Sequence, residues 1–267
     1  MRLKKRLGLF KSPRVVLSFA TVVVLGVIIY LSRHELLKAW GLFGQADIRL
    51  LLLLVPFQIA VYFAGGEMIF SYLRDKRDIH HVSRLEQTRI ALELNLVNHI
   101  FPSGGVSGMS YATWRMHKLG VSTSRSTFAQ VVRYVAGFLA LVVLLILSVI
   151  FLALDGQVNR YIVASSFILV LAVVSLTLGL IYVFSSKHRM NVTAAKITRS
   201  INNVVRLATF GKKRRLLKIE RVKEFFAEMQ SDFRDMSNHP RLLIKPFLWG
   251  IVYTLFDVGM FLLAFMA

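Results

Sequence analysis

The chain has 267 residues, of which 55% are hydrophobic, and its 34 Lys and Arg against 14 Asp and Glu leave a net charge of +20. Such a surplus is common in nucleic-acid-binding proteins, but here the basic residues lie between long apolar runs. Charge in that position sets membrane topology and meets anionic lipid headgroups, so we predict a membrane protein with no nucleic-acid partner. The absence of cysteine excludes a disulfide framework, a Cys-ligated zinc site and a thiol nucleophile.

Five apolar stretches reach about the 20 residues that a helix needs to cross roughly 30 Å of hydrocarbon. They are Val15–Leu31, Leu50–Tyr72, Phe128–Leu154, Tyr161–Phe184 and Leu242–Ala267. The basic start of the chain could belong to a signal peptide, but no small-residue cleavage site follows the first stretch, so we predict an uncleaved helix. The predicted fold is an all-α, polytopic transmembrane helical bundle of about five spans. We expect it to form a single integral membrane domain over residues 1–267.

The distribution of basic residues predicts the topology. Lys and Arg number six before the first stretch, then three, eight, one and fourteen in the four successive connections. Segments on the cytoplasmic side carry the excess, which places the N-terminus and the second and fourth connections in the cytoplasm at the cell membrane. The chain ends in the apolar run Phe261–Ala267, without a polar tail. That ending predicts that the chain is C-terminally truncated and that further helices follow in a longer protein.

The second connection predicts two short helices joined by a Pro-Gly-Gly turn. Leu85, Leu92, Leu96 and Ile100 recur at helical spacing, and a second helix is predicted over about Gly108–Leu119. In the turn, Pro102 blocks helix continuation, and Gly104 and Gly105, beside Ser103, permit close or left-handed backbone. Such a turn is either the tip of a re-entrant hairpin, buried in protein or lining a polar cavity, or an ordinary surface loop. The N-terminus of the second helix would offer backbone N–H groups to phosphate or carboxylate.

Residues in and after this turn carry a family resemblance. The run Asn98–Gly105, followed by Trp114-Arg115-Met116, Gly120-Val121-Ser122 and Gln130–Arg133, resembles the lysylphosphatidylglycerol synthase transmembrane family, also described as flippase-like integral membrane proteins. The resemblance implies a bundle with re-entrant helices that acts on phospholipids or lipid-linked polar groups. Some members carry a soluble aminoacyl transferase domain, which is not found in this sequence, so the resemblance does not transfer that activity.

Three charges within the predicted spans are candidate site residues. A charge at the bilayer centre costs about 2.5–3.5 kcal/mol on insertion scales, so such residues usually face the bundle interior and find partners. Arg133 could hold a lipid phosphate through a bidentate contact, or its side chain could extend to the membrane surface. Glu67 and Asp257 could balance Arg133, receive a cationic headgroup or relay protons. The predicted substrate-binding set is therefore Pro102, Ser103, Gly104, Gly105, Arg133, Glu67 and Asp257.

The fourth connection, residues 185–241, is predicted to form a basic cytoplasmic helical loop. Two helices with apolar faces would lie on the membrane or on each other. Between them, Lys212, Lys213, Arg214 and Arg215 resemble a nucleic-acid patch, but beside a membrane helix they favour binding of anionic lipid. No GxxxxGK[ST], HExxH or Gly-x-Ser-x-Gly motif occurs. We therefore predict no cofactor, no metal and no ATP-driven pumping by this chain.

Three functions fit these features. The leading hypothesis is a translocator of anionic phospholipid or lipid-linked substrate that does not use ATP. The second is the membrane part of an aminoacyl-phospholipid synthase system whose transferase lies elsewhere; no catalytic motif decides whether the chain is an enzyme. The third is a non-transporting membrane scaffold, and a homo-oligomer is compatible with all three.

Overall fold

The computed structural model describes residues 23, 25–43, 46–101, 103, 105–154, 156, 159–208 and 217–267. Over these residues the chain is helical and contains no strand, which confirms the all-α prediction. Residues 25–31 are helical, and the helices that follow are numbered here in chain order. They are α1 (Arg33–Phe43), α2 (Ile48–Asp75), α3 (Arg84–Ile100), α4 (Val106–Lys118), α5 (Thr123–Leu154), α6 (Arg160–Phe184), α7 (Lys187–Ala208), α8 (Ile219–Asn238), a 3₁₀ turn (Pro240–Leu243) and α9 (Ile244–Met266).

Four helices among the described residues are long and apolar enough to cross a membrane. They are Ile48–Asp75, Thr123–Leu154, Arg160–Phe184 and the continuous stretch Pro240–Met266. These helices coincide with the second to fifth predicted spans. The prediction of five spans is corrected to about four, because the first predicted stretch, Val15–Leu31, lies mostly outside the described residues.

Contacts divide the chain into two units. One comprises Leu54–Leu263, and the other comprises Met1–Leu53 with Ala264–Ala267. Within the second of these, the backbone N–H of Asp47 donates to the carbonyl of Ala267 (2.9 Å). The Asp47 carboxylate in turn accepts from the N–H of Arg49 (2.8 Å) at the start of α2, where orphan backbone donors need a partner.

Small residues bring the spanning helices of the larger unit into close contact. A Cβ placed on Gly250 of α9 would stand 3.1 Å from the carbonyl oxygen of Ala136 and 3.2 Å from the Cβ of Ala140, both in α5. Gly259 of α9 lies in the same way against the ring of Phe57 in α2. Because lipid offers little hydrophobic drive between helices, such small-residue contacts supply much of the van der Waals packing in membrane bundles.

Helices α7 and α8 pack on each other, and α8 also packs on the first turns of α5. The fourth connection therefore contains two helices that lie on each other, one of the two predicted arrangements. Met229 of α8 is buried, and Phe226, Phe233 and Met236 pack against the same core cluster, which includes Phe128. The apolar face of α8 therefore packs against the bundle as well as against α7.

Ion pairs reinforce this contact. The guanidinium of Arg125 lies 2.8 Å from Asp78 and 3.1 Å from Asp232 of α8. Lys76 pairs with Asp235, and the hydroxyl of Ser124 donates to Glu228. Burial raises the pKa of the Asp232 carboxyl, while the hydrogen bond from Lys76 lowers the pKa of Asp235. Polar and charged groups from α5 and from the segment between α2 and α3 thus converge on one face of α8.

Candidate functional site

Helices α3 and α4 form an antiparallel hairpin around the Pro-Gly-Gly turn. Starting from the open end, Arg115 pairs with Glu86, the hydroxyl of Tyr111 donates to Glu93 (2.6 Å), and the N–H of Gly108 donates to the Asn98 side chain (2.8 Å). Each successive pair lies closer to the turn, as an antiparallel arrangement requires. The Tyr111 hydroxyl is the main cause that lowers the pKa of Glu93.

Helix α4 is also fixed to α5. The amide of Gln130, which is buried, donates to the carbonyl of Met109 (3.1 Å) and to the hydroxyl of Thr113 (3.0 Å). A Cβ on Gly105 would stand 2.8 Å from the hydroxyl of Tyr134. The hairpin tip therefore lies level with Tyr134, which is six residues, or about 9 Å, along the helix from Phe128, where the predicted apolar span begins.

The second helix beside the tip is α2. The rings of His99 and Tyr62 are 6.4 Å apart, and Gly66 lies against Ala91 of α3, where an added Cβ would stand 2.6 Å from the Ala91 Cβ. The hairpin is thus inserted between two spanning helices at the level of their apolar segments.

The apolar residues that predicted α3 face away from the core. Leu85, Leu92, Leu96 and Ile100 are exposed, whereas the buried residues of α3 are Gln87, Ile90, Ala91 and Leu94. Around the turn, Phe101 and Val106 are each 61% exposed. The tip of the hairpin consequently carries an apolar outer rim.

The amides at the start of α4 already have partners. The N–H of Ser107 donates to the Ser103 hydroxyl (2.8 Å), and the N–H of Gly108 donates to Asn98. We predicted that amides at this helix N-terminus would be free to bind an anion. These two amides are instead occupied by side chains of the hairpin. Gly105 adopts φ 92° as the N-cap residue, a left-handed conformation that glycine tolerates best.

Arg133 lies where α2, α5 and α9 meet. A Cβ on Gly65 would stand 3.3 Å from a terminal nitrogen of the Arg133 guanidinium and 3.4 Å from the ring of Tyr253. The guanidinium carbon is 6.0 Å from the Tyr134 ring centroid. Among the residues that the structure describes, no carboxylate lies within ion-pair distance of Arg133. The side chain is partly buried, so the site holds a positive charge surrounded by phenol rings and glycine backbone.

Glu67 pairs with residues other than Arg133. It is 6% exposed and forms ion pairs with Arg74, seven residues later in α2, and with Arg84 at the start of α3 (3.4 Å). Gln87 also accepts a hydrogen bond from Arg74. These contacts tie the open end of the hairpin to α2, and Glu67 is not paired with Arg133.

Asp257 lies one turn beyond Tyr253 on α9 and is partly buried. Within the described ranges it forms no ion pair. Of the other predicted site residues, Ser103 is exposed and Gly105 forms the turn. Pro102, Gly104, Lys212, Lys213, Arg214 and Arg215 lie outside the described residues.

Gly65, Tyr134 and Tyr253 were not predicted to be site residues from the sequence. Tyr134 follows Arg133 directly, and Gly65 is half of a Gly-Gly pair, so both carried a weak local signal. Tyr253 carried none, because an aromatic residue in an apolar span is ordinary. Its position beside Arg133 depends on how α9 packs.

The fold and this arrangement define a multi-pass helical membrane protein. Residues 14–267 match the family described as "Lysylphosphatidylglycerol synthase TM region". The chain belongs to this family, which confirms the resemblance drawn from its sequence. Comparison with curated proteins and with solved structures finds no match.

Proposed function

We propose that this chain handles an anionic phospholipid or lipid-linked substrate at Arg133 and moves its headgroup through the bundle without ATP. One observation carries the proposal: a guanidinium lies beside Gly65 and Tyr253, level with the apolar helix segments, and no carboxylate of the described residues neutralises it. A charge at this depth is expensive, and a bidentate contact with phosphate would offset that cost.

The surroundings support a headgroup site. Gly65 allows the guanidinium to pack close to the backbone of α2, and the hydroxyls of Tyr134 and Tyr253 can act as donors or acceptors. Asp257, deeper on α9, would meet a cationic part of the headgroup or relay a proton. Glu67, with Arg74 and Arg84, would hold the hairpin in place rather than line the path.

The α3–α4 hairpin is proposed to be re-entrant. Its apolar rim, formed by Phe101 and Val106 with the exposed face of α3, would contact acyl chains, while its polar pairs are satisfied inside. Backbone that leaves helical geometry at membrane depth needs such internal partners. We further propose that the protein resides in the cell membrane, with its N-terminus in the cytoplasm, because the basic segments alternate as the positive-inside rule requires.

Reconstitution in liposomes containing fluorescent phosphatidylglycerol tests the proposal. We expect the wild-type chain to accelerate exchange between leaflets, and Arg133→Ala to abolish most of that acceleration. Arg133→Lys should retain less than half, since an ammonium cannot make the planar bidentate contact. Arg199→Ala, an exposed position on α7, is the matched control. Equal exchange with and without protein would reject translocation.

The family's description favours one second candidate, the membrane part of an aminoacyl-phospholipid synthase system. In that case the Arg133 site would present phosphatidylglycerol to a separate transferase. Cells expressing the chain with such a transferase would then contain aminoacylated phosphatidylglycerol in amounts that depend on Arg133. Leaflet exchange in liposomes would not depend on Arg133. A non-transporting scaffold would show neither dependence.

A further inference from the structure

An apolar groove of about 380 Å³, whose lining does not include Arg133, lies between α5, α6 and the end of α8. Its walls include Val135, Leu139, Leu180, Ile181 and Phe233, and Pro240 closes it where the 3₁₀ turn begins. This volume falls within the range of about 300–1,000 Å³ typical of small-molecule sites.

The position of the groove indicates what fills it. Two of its walls, α5 and α6, are membrane-spanning helices, and Leu139 and Ile181 at its mouth are exposed. At this level the surroundings of the bundle are acyl chains rather than water. An apolar groove that opens there is complementary to a single chain.

A polar pocket of about 710 Å³ adjoins the closed end of the groove, and Pro240 lines both. Arg77, Arg241 and His239 line the pocket, together with two acidic residues. Those acids are already neutralised, because Asp75 pairs with Lys245 (2.6 Å) and Asp235 with Lys76.

Arg77 and Arg241 thus supply the uncompensated charge of this pocket. Both are exposed, and neither forms an ion pair with any residue that the structure describes. The two guanidinium groups are complementary to a lipid phosphate, and the neighbouring apolar groove is complementary to an acyl chain.

We propose that the groove and the pocket together bind one anionic phospholipid, with an acyl chain between α5 and α6 and its phosphate at Arg77 and Arg241. The lipid stays in place and fastens α8 and the 3₁₀ turn to the spanning helices. This site is separate from Arg133 and does not depend on the function proposed for it.

Photolabelling of the full chain tests this site. The chain is placed in phosphatidylcholine nanodiscs that contain phosphatidylglycerol with a photoactivatable group on one acyl chain, and labelled peptides are mapped by mass spectrometry. We expect labelling of groove residues on α5 and α6, competed by unlabelled phosphatidylglycerol. The double variant Arg77→Gln/Arg241→Gln should weaken this competition about 30-fold, the loss expected for two basic residues at a lipid surface. Arg199→Gln is its control.

A second variant fills the groove. Leu180→Trp should remove most labelling there, while Leu176→Trp, on the exposed face of the same helix, should not. The exposed arginine variants keep the test decisive if Leu180→Trp fails to fold. Arg133→Ala should leave groove labelling unchanged, which separates this site from the proposed translocation site. Any of three results would overturn the proposal. These are competition by phosphatidylcholine as strong as that by phosphatidylglycerol, labelling that both variants leave unchanged, and cross-links that join the groove to a second copy.

Discussion

The hydroxyl of Tyr134 lies against the backbone of Gly105, so close that a Cβ on that glycine would stand 2.8 Å from the hydroxyl oxygen. This contact fixes the tip of the hairpin to α5, at the residue that follows Arg133. It also allows the steric and conformational roles of the glycine to be separated.

Gly105→Ala should destabilise the hairpin for two reasons. Its φ of 92° costs an L-residue about 1–2 kcal/mol, and the new methyl group meets the Tyr134 hydroxyl. Gly120→Ala is the matched control, because Gly120 has φ 88° but nothing within 4 Å of its Cβ position. We expect the thermal midpoint to fall more for Gly105→Ala, and Tyr134→Phe to restore part of the difference. Equal effects of the two glycine variants would contradict the contact.

Gly66→Ala should loosen the hairpin from α2. The added Cβ would stand 2.6 Å from that of Ala91, and overpacking of this kind costs about 1–3 kcal/mol. Gly179→Ala in α6, where nothing lies within 4 Å, should be neutral or slightly stabilising. Unfolding in detergent measures both. A Gly66→Ala variant as stable as Gly179→Ala would show that the hairpin does not pack on α2 as described.

Neutralising the charges of the α8 contact is a third test. Arg125→Gln leaves Asp232 buried without its guanidinium partner, a loss of about 1–3 kcal/mol. Adding Asp232→Asn removes the stranded charge and should recover part of the stability. Protease cleavage within α8 reports whether the helix stays docked. If the double variant is cleaved faster than Arg125→Gln alone, the two residues do not act as a pair.

The hairpin should weaken in acid. The Tyr111 hydroxyl lowers the pKa of Glu93 below its unfolded value, so the stabilisation is present above that unfolded pKa and is lost as pH falls through the folded one. Tyr111→Phe removes the main cause and should move the loss to higher pH. The thermal midpoint measured from pH 7 down to about pH 2 gives the comparison. Superimposable profiles for the two proteins would argue against this linkage.

Membrane topology can be tested directly because the chain contains no cysteine. Arg77→Cys and Arg206→Cys should react with an impermeant thiol reagent from the same side, and Tyr161→Cys from the other. All three positions are exposed. Labelling of Arg77→Cys and Arg206→Cys from opposite sides would overturn both the proposed orientation and the headgroup site.

Apolar length and periodicity located most elements of this fold. The second to fifth predicted spans and both helices of the hairpin occur where the pattern placed them, because apolar length and a Pro-Gly turn are local properties. The apolar face of α3, by contrast, does not point toward the core of the bundle. Leu92 and Leu96 face outward, since in a membrane protein an apolar face need not turn to the core.

The partners of charged residues were not predictable. One of the roles predicted for Glu67 was to balance Arg133. It pairs instead with Arg74 and Arg84, because arginine side chains reach a full two turns along a helix and across to the next one. The surroundings of Arg133 likewise depend on α9, which is more than a hundred residues away in sequence. Spacing alone cannot indicate which face of α9 meets α5.

The close approach of Gly250 to Ala136 limits how this protein can change shape. With the backbones of α5 and α9 almost touching, no side chain fills the space between them that could swing aside to make a passage. We therefore expect these two helices to move together. A rearrangement of the bundle that keeps this contact intact would have to come from the elements packed around it, such as the α3–α4 hairpin.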